Sequence, residues 1–236
     1  MSDWTYEKVF DDIYLCRERG YKETANIFVV VQEGHALLID AGTSGASLKE
    51  IANTLQVTFD ACFITHGHFD HVFGIVELQC PVYASLACRE HLLYGKDFGL
   101  EYFSIDDVVE KQNVRSRYNG ISTRISDLSS KARSVVVMRE NFQWGKYSLE
   151  PKPLVGHSDD SMGFLLEPVH VLFTGDAFYN GKLYFFTESS SVTAGLQSLK
   201  KIEDIAPQKI LPGHNEILES EDTASVLQDW REQLST

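Results

Sequence analysis

The chain has no apolar run near the roughly 20 residues that a membrane-crossing helix needs. Its start, MSDWTYEKVFDD, is acidic and lacks the apolar stretch of a secretory leader. Together these absences lead to the expectation of a cytoplasmic protein with no membrane partner. Cysteines are few, namely Cys16, Cys62, Cys80 and Cys88, and no two form a CxxC pair. That disfavours a thiolate zinc site and a disulfide framework, and predicts four buried, reduced thiols. Positive charge is scarce too: 21 Lys and Arg stand against 34 Asp and Glu, a formal net charge of −13. A global attraction to nucleic acid or anionic membranes is therefore disfavoured, and no nucleic-acid partner is expected. GxSxG, P-loop and GxGxxG signatures are missing, which leaves nucleophilic-serine, nucleotide and dinucleotide chemistry without support.

What is present suffices for a large core. Of 236 residues, 43% are hydrophobic, and without a repeat or linker the default expectation is one domain over 1–236. Apolar runs at Ile13–Cys16, Ile27–Val31 and Ala36–Ile39 read as strands, the last two joined by the turn Gln32-Glu33-Gly34. Leu48, Ile51, Ala52 and Leu55 share one face of a helix, and Ala61–Thr65 reads as a buried strand. Pro81–Ala84 and Ser85–Leu93 continue as strand and helix. From about 94 to 134 no period is sustained, so an insert of undetermined structure is expected there. Strands resume near Ser134–Met138, Tyr147–Leu154, Met162–Leu166 and Val169–Thr174. They are followed by a helix through Val192–Ile205, a strand at Lys209–Leu211 and a closing helix from about Asp222 to Leu234. Two β-rich halves, each with helices, predict an α+β fold of stacked sheets covered by helices on both outer faces.

The strongest chemical signal is Thr65-His66-Gly67-His68-Phe69-Asp70-His71, three imidazoles and a carboxylate directly after an apolar strand. In an extended segment His66 and His68 project to one side, while a turn at Asp70-His71 can aim a second pair at a neighbouring point. One loop can thus serve two adjacent metal ions; a polar surface cluster is the alternative. Imidazole with carboxylate favours zinc, with iron or manganese as further candidates. Three later sites could complete the set: Gly156-His157-Ser158, Thr174-Gly175-Asp176 and Pro212-Gly213-His214. Each taken singly also reads as a turn or cap, but five of the eight histidines fall in these motifs. His35, His91 and His170 have no sequence companions and are read as structural.

At this point the sequence resembles the metallo-β-lactamase fold superfamily, whose signature stands here in order as Asp40, His66-x-His68-x-Asp70-His71, His157, Asp176 and His214. The resemblance implies a four-layer αββα sandwich with the active site at the sheet edges. It also implies that His66, His68 and His157 hold one metal and Asp70, His71 and His214 the other. Asp176 would bridge them, and Asp40 would orient the motif loop. Two zinc ions would then lower the pKa of a bridging water toward about 7 and supply a nucleophile for an ester, thioester or lactone carbonyl. In the commonest class of family β-lactamases a Cys stands where this chain has Asp176, so antibiotic hydrolysis is disfavoured. An intact bridging Asp looks like the glyoxalase II, lactonase and thioesterase branch, although the 22 residues after His214 are expected to be too few for the helical substrate domain of glyoxalase II. A phosphodiesterase or ribonuclease-type member is the second reading, and a non-hydrolytic iron-containing redox or regulatory protein the third.

Two features bear on the substrate. From Lys111 to Arg139 seven basic residues, among them Arg115 and Arg117, face only Asp127. They either recruit a small anionic substrate or form a solvated face pairing with the acidic body. Tyr179 stands three residues after Asp176, where quorum-quenching lactonases carry a tyrosine that assists at the carbonyl; a packing tyrosine is the alternative. Oligomeric state is not addressed by any feature of the sequence.

Overall fold

Strands apolar along their whole length have no polar face to give to water, and the central strands of this molecule are buried on both sides. The structure, a computed structural model, describes residues 4–18, 25–43, 45–95, 121–185 and 187–235. A seven-stranded sheet runs in chain order through β1 (Trp4–Phe10), β2 (Ile13–Glu18), β3 (Asn26–Gln32), β4 (His35–Ile39), β5 (Thr58–Phe63), β6 (Val82–Ala84) and β7 (Val136–Val137). Neighbours are antiparallel up to β4 and parallel from β4 to β7. A six-stranded sheet holds β8 (Phe142–Trp144), β9 (Tyr147–Pro153), β10 (Met162–Glu167), β11 (Val171–Gly175), β12 (Lys209–Pro212) and β13 (Leu218–Glu219). Its one parallel pairing joins β11 to β12.

Side-chain alternation divides the interior into three cores. Phe28 and Val30 of β3, Leu37 and Ile39 of β4 and Phe63 of β5 meet Phe164, Phe173 and Leu211 of the other sheet. Phe63 sits at the crossing, 5.7 Å from the Phe164 ring and 5.1 Å from that of Phe142. Each phenylalanine buried this way contributes about 1.5–3 kcal/mol. The alternate residues Ile27, Val29, Leu38 and Cys62 face outward beneath α1 (Gly45–Leu55), α3 (Leu86–Tyr94) and α4 (Ile121–Ala132). Leu165, Leu172 and Ile210 do the same beneath α5 (Val192–Ile205) and α6 (Ser220–Leu234). The expected αββα layering is therefore the observed one. A single-turn helix, α2 (Phe69–Val72), continues the His-rich loop.

Several local expectations need correction. β1 lies outside the expected strands, because Thr5–Lys8 are exposed and WTYEKVF carries no clean alternation. The expected insert contains α4 over Ile121–Ala132, with Leu128 and Ala132 buried in the first outer core. Cys80 is only partly buried, unlike the other three thiols. The β3–β4 turn takes the tight form required between paired strands, with Glu33 and Gly34 both at positive φ, 53° and 80°. Among the described residues no helix is long and apolar enough to cross a membrane.

Candidate metal centre

All the sequence-selected ligands sit just beyond strand ends on one edge of the sandwich. β4 ends at Ile39 and Asp40 follows at φ +62°, a left-handed conformation that a short polar side chain tolerates. Asp40 is buried and accepts three hydrogen bonds: from Thr65 N–H (2.8 Å), Thr65 Oγ1–H (2.9 Å) and His71 Nδ1–H (2.8 Å). With its proton spent on Asp40, Thr65 Oγ1 accepts from His66 Nδ1 at 3.1 Å. His157 Nδ1–H donates to the Tyr184 carbonyl at 2.7 Å. These bonds hold a ring proton of His66, His71 and His157 on Nδ1 and aim each Nε2 at the centre. His68 faces the centre with the other nitrogen, its Nδ1 lying 3.0 Å from His157 Nε2.

Asp176 stands among four imidazoles. Its Oδ1 is 3.3 Å from His71 Nε2, and its Oδ2 is 3.3, 3.7 and 3.9 Å from the Nε2 atoms of His214, His157 and His66. Asp70 Oδ2 lies 3.2 Å from His214 Nε2 and 3.7 Å from His71 Nε2. Donor atoms within 4.8 Å of one another form three groups here: His66, His68 and His157; His66, His71 and Asp176; Asp70, His71 and His214. Gly213 makes this closeness possible, since a Cβ there would collide with Asp176 Oδ1 and stand 2.8 Å from the His71 ring.

The donor set fits bound cations. His66 Nε2 is buried without a hydrogen-bond partner among the described residues, a cost that a coordinated ion removes. Two imidazole nitrogens 3.0 Å apart likewise need a proton or a metal between them. In the metal-free chain the electrostatics are uneven. Burial, with help from neighbouring imidazoles, pushes His66 well below the usual histidine range and His157 down to about 4. Burial also opposes the charge on His71 and His214, yet Asp176 and Asp70 reverse it, lifting His71 well above its usual value and His214 to about 10. Burial would raise the two carboxyls, but the same histidines hold Asp70 below and Asp176 well below the ordinary carboxylate value.

The remaining expectations divide. Tyr179 is buried in the second outer core; its hydroxyl donates to Lys182 O at 3.0 Å and accepts from Tyr184 N–H at 3.1 Å. These bonds brace the loop whose Tyr184 carbonyl holds His157, in keeping with the packing alternative, and carbonyl assistance is the other role the resemblance implies. Arg115 and Arg117 lie outside the described residues. Of the other basic residues in that stretch, Lys131 donates to Leu78 O at 2.7 Å, which ties α4 to the body. His35 and His170 pair locally with Asp60 and Glu167, but His91 has the company the sequence concealed, Asp159 and Asp160. Sequence reasoning also missed Asn26, whose side chain donates to Pro212 O (2.9 Å) and Asn215 O (3.0 Å) and so clamps the turn carrying His214. A polar residue opening a strand had no local signal of that task.

Comparison with known proteins agrees with this geometry: the sequence profile of the metallo-beta-lactamase superfamily matches residues 20–214. The chain belongs to the metallo-beta-lactamase superfamily. It is 22% identical over 199 residues to a beta-lactamase-like protein 2 homolog of Drosophila melanogaster, covering 82% of this chain and 59% of that protein. It is 23% identical over 199 residues to an atrochrysone carboxyl ACP thioesterase of Aspergillus fumigatus, covering 83% and 52%. The chain thus spans little more than half the length of these two relatives. Solved metallo-beta-lactamase structures share the fold. TMB-1 superposes with a TM-score of 0.70 at 18% identity, covering 100% of this chain and 98% of its own. A metallo-beta-lactamase from Pontibacter korlensis gives 0.70 at 16%, with 99% of both chains covered. The superfamily consists mainly of metal-dependent hydrolases, and the His/Asp clusters of this chain fit that class.

Proposed function

We propose that the protein is a dinuclear metal-dependent hydrolase of a small ester, thioester or lactone. The observation that carries this reading is Asp176, one carboxylate within 3.9 Å of imidazoles from both ligand clusters. His66, His68 and His157 would hold one ion, Asp70, His71 and His214 the other, and Asp176 would bridge. Zinc suits this donor set, with iron or manganese as alternatives. Bound in this way, the ions would supply Lewis acidity and a water acidic enough to act as nucleophile near neutral pH.

The chain's own residues prepare that chemistry. Hydrogen bonds to Thr65, Asp40 and the Tyr184 carbonyl hold the rings of His66, His71 and His157 with Nε2 aimed at the centre, so the rings need not turn when ions bind. Burial keeps water from His66 and His157, whose side chains are 1% and 2% exposed, whereas His214 at 20% marks the side open to substrate. The thioesterase among the relatives supports an acyl substrate. Arg115 and Arg117 would favour an anionic one.

The test joins metal analysis to a substrate panel. Protein isolated with adequate zinc should carry about two ions per chain, and a chelator should abolish hydrolysis reversibly. Among aryl esters, acyl thioesters, lactones and bis(p-nitrophenyl) phosphate, the carboxylic substrates should be favoured. Full activity in chelator with no bound metal would sink the metal reading. Preference for the phosphodiester would sink the substrate class and leave the metal reading standing.

A further inference from the structure

Besides Asp40, a second buried carboxylate stands behind the ligand loops. Asp160 follows His157 by three residues and its side chain is 1% exposed. Asp160 Oδ2 accepts the backbone N–H of Gly67 at 2.7 Å, and Gly67 is the residue between His66 and His68. Asp160 Oδ1 accepts the hydroxyl of Ser158, next to His157, at 2.6 Å. Its backbone carbonyl accepts from Ser85 Oγ at 2.8 Å, which anchors the group to the first residue after β6. His91 of α3 closes the far side, Nδ1 3.6 Å from Asp160 Oδ2 and Nε2 3.2 Å from Asp159 Oδ1.

Gly67 fits tightly into this arrangement. A Cβ at position 67 would lie 3.0 Å from Asp160 Oδ2 and 3.6 Å from His91 Cβ, so the backbone can approach the carboxylate only because the side chain is absent. A buried carboxylate is costly unless its oxygens are satisfied. Here both are satisfied by the two loops that present His66, His68 and His157.

We propose that Asp160 is a positioning residue for the His66, His68 and His157 cluster: one carboxylate crosslinks the His66–His68 loop to the His157 loop and sets the spacing of the three imidazoles. The proposal rests on the metal reading above. It adds a support for the first half beyond Asp40, which serves both, directly at the His71 ring and through Thr65 at His66. Among the described residues Asp160 has no hydrogen bond to His66, His68 or His157 side chains, so its influence passes through the backbone at Gly67 and through Ser158.

Metal binding tests this independently of turnover. Metal affinity is read ion by ion through chelator competition, and the ligand field through the visible spectrum of the cobalt(II)-loaded protein. Asp160→Ala should weaken one of the two ions by about 10–100-fold and alter one cobalt spectrum while sparing the other. Asp160→Asn should recover most of the loss, because its amide oxygen still accepts from Gly67 and its NH2 can donate to Ser158 Oγ, whose proton then goes to Ser161 at 2.7 Å. Asp159→Ala should change neither ion, as that side chain is 59% exposed and pairs with His91 rather than with Gly67 or Ser158. If Asp160→Ala does not fold, Ser158→Ala decides, since it removes one strut only and should weaken the same ion by a smaller factor.

Unchanged affinities for both ions in folded Asp160→Ala, or in Ser158→Ala where that variant decides, would overturn the proposal. Equal weakening of both ions would overturn it as well, because a general loss of structure would explain it better. Failure of the metal reading would show differently, as no tight binding in the wild-type protein, and would remove this proposal with it.

Discussion

The two halves of the metal centre are built on opposite electrostatics. His66, His68 and His157 form a cluster with no carboxylate of its own, and burial strips His66 and His157 of their protons, the latter down to about 4. Asp70, His71 and His214 contain a carboxylate and lie against Asp176, which keeps His71 and His214 charged, the latter up to about 10. One half offers the neutral imidazoles of His66 and His157 to a cation; the other is an internal ion-pair network that must release protons before a cation can enter. Asp176 belongs to both, and the difference between the halves can be tested through it.

Replacing Asp176 by Ala should have the largest effect, because it removes the carboxylate that both halves share. Turnover should fall by about 10²-fold or more, the scale on which a preorganised electrostatic partner acts. The fold should survive, as Asp176 lies past the end of β11 rather than in a core. Steady-state kinetics with metal analysis checks both points. Two ions and wild-type turnover in the variant would mean that the halves do not communicate through this residue.

Much of the centre was legible because its ligands are close in sequence or follow strand ends. The segment from His66 to His71 announces itself by density, and Asp40, His157, Asp176 and His214 gain meaning from their order. Asp160 carries no such signal: an aspartate after a strand reads as a turn residue, and its partners Gly67 and His91 are distant in sequence. The fold shows the same division. β3, β4, β10 and β11 are apolar runs that permit one reading, whereas β1 is an exposed edge. α4, with sequence ISTRISDLSSKA, is rich in residues that favour helix weakly and is helical because Leu128 and Ala132 find a core.

The halves should also differ in their response to pH. His157→Ala should leave binding dominated by Asp70, His71 and His214, and affinity there should climb with pH as His71 and His214 give up protons to let the ion in. His214→Ala should leave the three-histidine half, where His66 and His157 are already neutral near pH 7, so affinity there should climb with pH less steeply. Folding of the metal-free chain should follow the same signs. His214, raised from 6.5 to about 10, adds stability that is complete below pH 6.5 and lost as the pH rises toward 10. His157, lowered from 6.5, costs stability as the pH falls from 6.5 toward 4. Chelator competition and denaturant titrations across pH measure both. Equal pH slopes for the two variants would erase the contrast.

The smallest effect is expected at Tyr179, which stands behind the three-histidine half as a brace. Its hydroxyl joins Lys182 O to Tyr184 N–H, Trp230 Nε1–H donates to its carbonyl at 2.6 Å, and the Tyr184 carbonyl in turn holds His157 Nδ1–H. Tyr179→Phe keeps the ring against Trp230 and removes only the hydroxyl. The expected cost is about 1 kcal/mol of stability, the net worth of an ordinary hydrogen bond, with turnover nearly unchanged. A hydroxyl that assisted the reacting carbonyl would behave otherwise: its loss would lower kcat by about 10²-fold or more and leave stability alone. Thermal unfolding and kcat measured on the same variant therefore decide between brace and catalyst, and a kinetic loss without a stability loss would move Tyr179 from the support of His157 to the reaction itself.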